Sequence, residues 1–176
     1  TLTDPAQCLS CHADFNAVTE PARWRGSMMA QSARDPYWQA KVASEMALNP
    51  QLTSVLDEIC SRCHMPMAND AARKAEVEPQ IFDPGFLEEA NVYFDQAMDG
   101  VSCSLCHQIA DNGLLGTLEA SSGRFLVESL TGTDRPAYGQ YSDPQGVNMI
   151  NQVAFTPRLG AHMGSSALCA SCHDLK

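Results

Sequence analysis

The chain has 176 residues, a length that suits one domain. Its net charge of -10 argues against binding to nucleic acid, which requires a basic surface. The sequence contains no apolar run long enough to span a membrane and no charged and then apolar leader, so we expect the numbering to begin at a mature N-terminus.

Two capped helices are predicted in the first third of the chain. Residues 3–15 form a short helix, because Asp4 can cap it and Pro5 suits the first helical position. Asp35 and Pro36 repeat this combination, so we expect a second helix to begin there.

The second helix has a regular apolar face. Trp38, Val42 and Met46 recur every four residues, which places them on one side of a helix that ends at Asn49 before Pro50. A third helix follows, in which apolar residues and two cysteines share one stripe that we expect to be buried. The members of this stripe are Leu52, Val55, Leu56, Ile59, Cys60 and Cys63.

The remaining chain is less regular. Residues 68–85 are polar and contain proline, so they are predicted as a connection, whereas residues 86–98 are predicted as a helix. Residues 111–160 are rich in Gly, Ser, Thr and Pro, and only residues 124–130 resemble a short strand. A loop region of this length is usually functional or wraps a cofactor. Residues 165–173 are predicted as a short final helix.

One five-residue pattern, C-x-x-C-H, occurs four times along the chain. The copies are residues 8–12, 60–64, 103–107 and 169–173, and they use all eight cysteines and four of the five histidines. This pattern is the signature of covalent c-type haem attachment, in which the histidine ligates the iron. We therefore predict four haem c groups. The predicted attachment residues are Cys8, Cys11, Cys60, Cys63, Cys103, Cys106, Cys169 and Cys172, and the predicted iron ligands are His12, His64, His107 and His173.

Three other uses of paired cysteines explain the pattern less well. A disulfide framework gives no reason for a histidine after each pair. A zinc site would combine a cysteine pair with a second pair or with two histidines, which could explain one or two copies but not four identical ones. A thioredoxin-like redox motif expects a single C-x-x-C in a βαβ setting, and the sequence around the motifs does not predict one.

The number of predicted haems determines the expected fold class. Four haems in 176 residues leave too little protein for a separate apolar core around each one. We therefore expect a small, mainly α tetrahaem cytochrome c with extensive loops, little β-structure and stacked haems as its core. Residues 1–176 are predicted as a single domain, which continues or meets a partner subunit beyond the C-terminus.

The second axial ligands must come from a limited set of residues. Histidine on both faces of four haems would need eight histidines, and His162 is the only one outside the motifs. At most one haem can therefore be bis-His from within the chain, and the others need methionine, another side chain, a partner's residue or water. Methionine ligation raises the reduction potential. The candidate methionines are Met28, Met29, Met46, Met98 and Met149. Met65 and Met67 lie too close to His64 to reach the opposite face of the same haem, but they could serve another one.

Several segments resemble the tetrahaem electron carriers of ammonia oxidisers and related multihaem cytochromes c. The stretch W-x-x-S-x-x after the first motif resembles their W-x-x-S-x-H stretch, in which the histidine is a distal ligand. Trp24 and Ser27 match it, and Met29 stands at the histidine position. The segments "DGVSCSLCHQI" and "HMGSSALCASCHDL" are also similar to multihaem segments, and the second implies that His162 is a distal ligand. The resemblance covers about half of the chain and does not extend to residues 111–160.

Electron transfer is the function that this pattern favours, in an exported protein of the periplasm or the extracellular space. The acidic charge suits a basic redox partner protein, although simple solubility explains it equally well. An alternative is a multihaem redox enzyme with one open haem acting on a small nitrogen or sulfur compound. Arg23, Arg25 and Arg34 could then line its pocket, or they could pair with haem propionates. A further alternative is a subunit of a larger electron conduit, whose partner supplies ligands.

Overall fold

The computed structural model describes residues 2–12 and 24–173, and the described chain is mainly helical with connecting loops, as the expected fold class requires. The predicted role of Arg23 and the end of the first predicted helix, at residues 13–15, lie outside the described residues. The chain divides into two compact units. The N-terminal unit comprises Asp4–Ser102, and the C-terminal unit comprises Cys103–Lys176 together with Thr1–Thr3. The single tetrahaem domain stays a prediction.

The first two described helices of the N-terminal unit begin where the sequence predicts them. The backbone N–H of Ala6 donates to Oδ1 of Asp4 at 2.7 Å, and that of Tyr37 donates to Oδ1 of Asp35 at 2.9 Å. Each carboxylate thus caps one of the orphan donors of a first turn. The helices are α1 Pro5–His12, α2 Pro36–Leu48, α3 Thr53–His64, α4 Pro66–Lys74 and α5 Phe94–Met98, with a 3₁₀ turn at Pro50–Leu52.

An apolar core holds α2, α3, α4 and α5 together. The predicted face of α2 is confirmed, because Trp38 and Val42 are buried and Met46 packs at the edge of the same cluster. Apolar burial of this kind stabilises a fold by about 25 cal/mol per Å². The buried members of the cluster are Ala33, Trp38, Val42, Met65, Ala68, Ala72, Ile81, Phe86 and Ala97.

The structure corrects the predicted connection over residues 68–85. Residues 68–74 of this segment belong to α4, whose Ala68 and Ala72 are fully buried. Alanines four residues apart let two helices approach closely, but a small apolar face of this kind is easily missed between polar residues. The Nδ2 amide of Asn69 also donates to Ser61 Oγ of α3 at 2.8 Å.

Another expectation about this unit is wrong. Only Phe94–Met98 of the predicted helix over residues 86–98 is helical, because the N–H groups of Phe86 and Leu87 donate to Gln80 and Ile81 instead of to a preceding helical turn. The predicted stripe of α3 does not pack on the protein core, since Leu52, Val55 and Ile59 are exposed, and its burial under the haem of the second motif stays a prediction. The buried residues of α3 are Asp57 and Ser61, on the opposite face, where α4 packs.

The C-terminal unit is built from short elements. These are α6 Cys103–Cys106, β1 Ile109–Ala110, β2 Leu126–Val127, β3 Pro136–Gly139, α7 Val147–Val153, β4 Thr156–Leu159 and α8 Ser166–His173. Strands β1 and β2 pair antiparallel, with Ile109 opposite Val127. Strands β3 and β4 pair in parallel, with Tyr138 opposite Arg158, and α7 forms the crossover between them.

The prediction for residues 111–160 is therefore correct only in part. The strand expected within residues 124–130 is present as β2, but β3, α7 and β4 were not predicted. Pro136 and Pro157 hide the two strands, since proline normally argues against a strand. Both strands belong to a two-stranded sheet and so have one unpaired edge, where the missing N–H of a proline is tolerated.

Candidate haem sites

Each C-x-x-C-H motif lies at the C-terminal end of a helix. Helices α1, α3 and α8 end at the motif histidines His12, His64 and His173, and α6 ends at Cys106, directly before His107. Residues three apart on a helix are neighbours on its surface, so the two thiols of a motif lie on one side of the helix. The arrangement places both thiols of each motif on one helix end, directly before the motif histidine.

Two hydrogen bonds join His64 to Ser32, one through the imidazole ring and one through the backbone carbonyl of His64. Its Nδ1 lies 3.2 Å from the carbonyl oxygen of Ser32, and its own carbonyl oxygen accepts from Ser32 Oγ at 2.8 Å. A carbonyl oxygen can only accept, so Nδ1 carries the proton and the lone pair of the ring is on Nε2. The indole of Trp38 stacks on the imidazole, with the ring centroids 4.4 Å apart and the planes 8° from parallel.

His107 is oriented by the backbone of β3. Its Nδ1 lies 2.6 Å from the carbonyl oxygen of Tyr138, and the N–H of Tyr138 donates back to the carbonyl oxygen of His107 at 2.8 Å. The same reasoning places the lone pair of His107 on Nε2. Metal-ligating histidines usually donate their second ring N–H to a carbonyl or a carboxylate, which fixes the tautomer. Two motif histidines thus have the arrangement of an iron ligand.

All eight cysteines of the motifs lie in the described residues, and none of them forms a disulfide. Burial, and to a smaller extent the charges of Cys169 and Cys103, together raise the pKa of Cys106 to about 11. Burial also raises the pKa of Cys60, with smaller contributions from Cys63, Asp57 and Glu45. A thioether carries no charge, so these surroundings oppose a thiolate without opposing a thioether.

The electrostatic coupling of Cys106 to Cys169 shows that the third and fourth motifs adjoin within the C-terminal unit. The loop after β1 packs on the helix that carries the fourth motif. A Cβ on Gly116, whose φ is +81°, would lie 3.0 Å from the Cβ of Ala167, and the N–H of Gly123 donates to the carbonyl oxygen of Ser171 at 2.8 Å. This part of residues 111–160 therefore wraps α8.

His162, the predicted distal ligand, lies in a 3₁₀ turn, Ala161–Gly164, and is only 6% exposed. Its Nε2 lies 2.9 Å from the carbonyl oxygen of Ile109, so this nitrogen carries the proton and the lone pair is on Nδ1. The ring meets Tyr138 edge to face, with centroids 5.1 Å apart. A Cβ on Gly160 would lie 2.7 Å from His162 Cε1, so glycine is needed for the close approach. Ligation by His162 stays a prediction.

The candidate methionines fall into three environments. Met28 and Met29 are 72% and 46% exposed, whereas Met46 and Met98 pack at the edge of the apolar core and Met149 is half-buried in α7. Met65 and Met67 are fully buried in the N-terminal unit, which is the environment of core residues. The roles of the five candidate methionines as ligands stay predictions.

The Trp24–Met29 segment is fastened to Val101. The indole N–H of Trp24 donates to the carbonyl oxygen of Val101 at 2.8 Å, and the N–H of Val101 donates to the carbonyl oxygen of Met29 at 3.0 Å. Ser27 Oγ donates to the carbonyl oxygen of Trp24 at 2.6 Å and closes the turn. These contacts give the tryptophan and the serine of the W-x-x-S pattern a structural role. The tryptophan fastens the segment to Val101, which precedes Cys103 of the third motif by two residues.

Arg25 and Arg34 lie near protein carboxylates in the N-terminal unit. The pKa of Asp99 is raised to about 6, chiefly by burial and then by the charge of Asp4, although the charges of Arg34 and Arg25 oppose the shift. An Nη of Arg34 also donates to the carbonyl oxygen of Met98 at 2.5 Å. These guanidinium groups thus compensate buried acidic charge in the protein itself.

The described residues fit covalent haem better than zinc. Nowhere in residues 2–12 and 24–173 do three His, Cys, Asp or Glu side chains come together in a group that could hold a metal ion. Val55 and Ile59 of α3 form an exposed apolar surface beside Cys60 and Cys63, and the flat apolar ring of a porphyrin could pack on it. Ser171 Oγ, between the thiols of the fourth motif, is buried and has no hydrogen-bond partner among the described residues. An unpaired buried hydroxyl costs about 1–3 kcal/mol, and a haem propionate is an acceptor that could satisfy it.

Repeated thiol pairs at helix ends, each followed by a histidine, on a small mainly helical chain define a multihaem c-type cytochrome. The family described as cytochrome c554 and c-prime matches residues 7–108, which is more than half of the chain and includes the first three motifs completely. The chain belongs to this family. Comparison with curated proteins and with solved structures gave no match.

The residues that orient the motif histidines were not predicted from the sequence. Ser32 and Tyr138 act through backbone carbonyl oxygens, for which a sequence carries no side-chain signal. Trp38 was predicted only as part of a buried helix face, and its contact with His64 depends on tertiary packing.

Proposed function

We propose that the chain is an electron-transfer protein with four haem c groups, one on each C-x-x-C-H motif. Haem-based electron transfer follows from the family. The count of four rests on the repetition of one motif that uses every cysteine. Bound haem c supplies a one-electron Fe(III)/Fe(II) couple, and the two thiols of each motif hold it while the histidine ligates the iron.

The observation that carries this proposal is the tautomer of the motif histidines. In His64 and His107 the Nδ1–H donates to a backbone carbonyl, which leaves the Nε2 lone pair for the iron. A hydrogen bond of this kind also makes the other ring nitrogen, Nε2, more basic and therefore a stronger ligand for the metal. The fold thus orients two of the proposed iron-ligating histidines, His64 and His107, without the help of a partner.

The second axial ligands are proposed to be mixed. The chain supplies at most one bis-His pair, through His162, and methionine for other irons, from the set Met28, Met29, Met46, Met98 and Met149. Thioether ligation raises the potential relative to bis-His ligation, so the chain would work at a higher potential than a bis-His carrier.

We also propose an exported location, in the periplasm or outside the cell, since haem c is attached outside the cytoplasm. Within the described residues, no helix has the length and apolarity needed to cross a membrane. Cytochromes act with redox partners, and the net charge of -10 favours a basic partner protein, because opposite charges accelerate association.

A second candidate function is supported by the shortage of histidines. With five histidines for four irons, one iron could remain open and act on a small nitrogen or sulfur compound, or a partner subunit of a larger conduit could supply the missing ligand. Arg25 and Arg34, the described members of the arginine set that could line such a pocket, lie in the N-terminal unit, where their charges compensate that of Asp99.

The test combines the mass of the denatured, fully matured chain with its EPR spectrum in the oxidised state. Four covalently bound haems and four low-spin irons would support the electron carrier. Fewer than four bound haems would overturn the count, and the motif that lacks haem would be identified by peptide mapping. A high-spin iron would favour the second candidate, and its response to small ligands in the presence and absence of a partner would separate the enzyme from the conduit subunit.

A further inference from the structure

We infer that Trp38 and Ser32 are positioning residues that hold the imidazole plane of His64 and thereby set the electronic properties of the haem on the second motif. The inference rests on the proposed function, in which His64 ligates that iron. It goes further because it assigns a role to two residues outside the four motifs and outside the candidate ligands.

The first support is the stack itself. The indole of Trp38 covers one face of the imidazole at a centroid distance of 4.4 Å with the planes only 8° apart. Rotation of the imidazole about its Cβ–Cγ bond would drive a ring edge into the indole. Parallel contact therefore restricts the ring to one orientation and keeps water from that face.

The second support is that Trp38 cannot move away easily. It is 7% exposed and belongs to the apolar core, together with Val42 of its own helix and Met65, which directly follows His64. Protein interiors are close-packed, so a displaced indole would leave a void or force its neighbours to shift. The stack is thus supported from behind by the core.

The third support is the double hydrogen bond from Ser32. Its carbonyl oxygen accepts from Nδ1 of the ring, and its hydroxyl donates to the backbone carbonyl of His64. One bond restrains the ring and the other restrains the backbone from which the ring extends. Ser32 is itself held in place, because the adjacent Ala33 is fully buried and its carbonyl oxygen accepts from Gln39 Nε2 at 2.8 Å.

His107 provides an internal comparison for this arrangement. It has the same Nδ1 hydrogen bond to a carbonyl, from Tyr138, but its ring is exposed. Among the described residues, no aromatic ring stacks on His107, so changes at Trp38 should act on the second haem and leave the third unchanged.

The orientation of an axial imidazole determines which iron d orbitals it overlaps, and the g values of a low-spin iron report that overlap. Groups around a ligand orient it and tune the metal in this way. Loss of the indole should therefore alter the g values and the potential of the second haem alone. Replacement of the indole by another flat ring should preserve them.

The experiment compares Trp38→Leu, Trp38→Phe and Phe86→Leu in the holoprotein. Phe86 is a matched control, because it is 2% exposed in the same core and contacts Tyr93 edge to face. The EPR signal of the second haem is identified as the one lost in a Cys60→Ala/Cys63→Ala variant. We expect Trp38→Leu to shift or broaden only that signal and to change one of the four potentials. We expect Trp38→Phe and Phe86→Leu to leave the signal at its wild-type g values.

Ser32→Ala extends the test with a smaller change that the core should tolerate, and it should shift the same signal less than Trp38→Leu does. An unchanged spectrum in Trp38→Leu and Ser32→Ala, or an equal change in Phe86→Leu, would overturn the inference. If Trp38→Leu does not fold, Ser32→Ala alone decides in the same way. Failure of the proposed function would look different, because wild-type protein would then lack haem on Cys60 and Cys63 by mass.

Discussion

The two units of the chain hold the same motif by different means. In the N-terminal unit the second motif ends a helix that packs on a protein core, and His64 is stacked against a core tryptophan. In the C-terminal unit the third motif is followed by short strands and turns, and His107 is held by the backbone of β3. The comparison teaches that a proximal histidine can be oriented by side-chain packing or by backbone pairing, and that each solution depends on a different part of the fold.

The largest expected difference between the units concerns their dependence on haem. Cys60→Ala/Cys63→Ala should remove the second haem yet leave the amides of α2 and α4 protected, because these helices share an apolar core with Phe86 and Ile81. Cys103→Ala/Cys106→Ala should remove the third haem and abolish most protection in the C-terminal unit, whose strands are only two to four residues long.

Hydrogen exchange followed by mass spectrometry measures both effects on the same protein. Retention of protection at β3 and β4 in the variant without the third haem would contradict the proposed dependence of the C-terminal unit. The haem content of each variant, measured on the denatured chain, shows that only the intended group was removed.

The core of the N-terminal unit supplies the next largest effect. Phe86→Ala should lower the free energy of unfolding of this unit by about 3–5 kcal/mol, because the side chain is 2% exposed and its removal leaves a cavity. Chemical denaturation followed by helical circular dichroism measures the change. An exposed apolar residue serves as the control, and Val92→Ala, which is 86% exposed, should change the free energy by about 0.5 kcal/mol or less. A loss below about 1 kcal/mol in Phe86→Ala would show that the core contributes little.

Features that depend on local interactions were predicted from the sequence, whereas features that depend on tertiary packing were not. The helix starts at Asp4 and Asp35 were predicted because capping is local, and the motif residues were predicted because their spacing is itself the signal. Helix α4 was missed because its packing face consists of small alanines. The face of α3 that packs on the protein was not predicted, because it carries the polar residues Asp57 and Ser61 instead of the apolar stripe.

The orientation of the motif histidines could not be predicted for a physical reason. The contact of His64 with Ser32 spans 32 residues and that of His107 with Tyr138 spans 31, and both use a backbone oxygen that every residue type carries. Such contacts depend on the tertiary fold alone. They are visible only after the elements have been placed.

The turn that carries His162 offers a smaller and more local test of the C-terminal unit. Gly160→Ala should destabilise this unit by about 1–3 kcal/mol, because the new Cβ would lie 2.7 Å from His162 Cε1 and 2.9 Å from the Cβ of Tyr138. Gly139→Ala is the matched control, since a Cβ there meets no atom within 4 Å. Thermal unfolding compares the two variants. Equal melting temperatures would show that the turn can relax without cost.

The smallest expected effect concerns the buried carboxyl group of the N-terminal unit. Burial raises the pKa of Asp57 above its usual value, and the hydrogen bond from the backbone N–H of Ile81, 2.8 Å long, opposes this shift. The folded state therefore binds the proton more tightly than the unfolded state does. The contribution of Asp57 to stability is complete below its unfolded pKa and is lost as the pH rises through its folded pKa.

Asp57→Asn keeps the acceptor for Ile81 and removes the charge, so it should stabilise the protein at pH 7 by about 1 kcal/mol or less and should have no effect near pH 3. Melting temperatures over that pH range measure the difference. Glu78→Gln is the control, because this exposed carboxylate lines the same surface groove as Asp57 and its loss should leave the stability unchanged at both pH values. A stabilisation of Asp57→Asn that persists at pH 3 would mean that packing, and not charge, is responsible, since the carboxyl group is then already neutral.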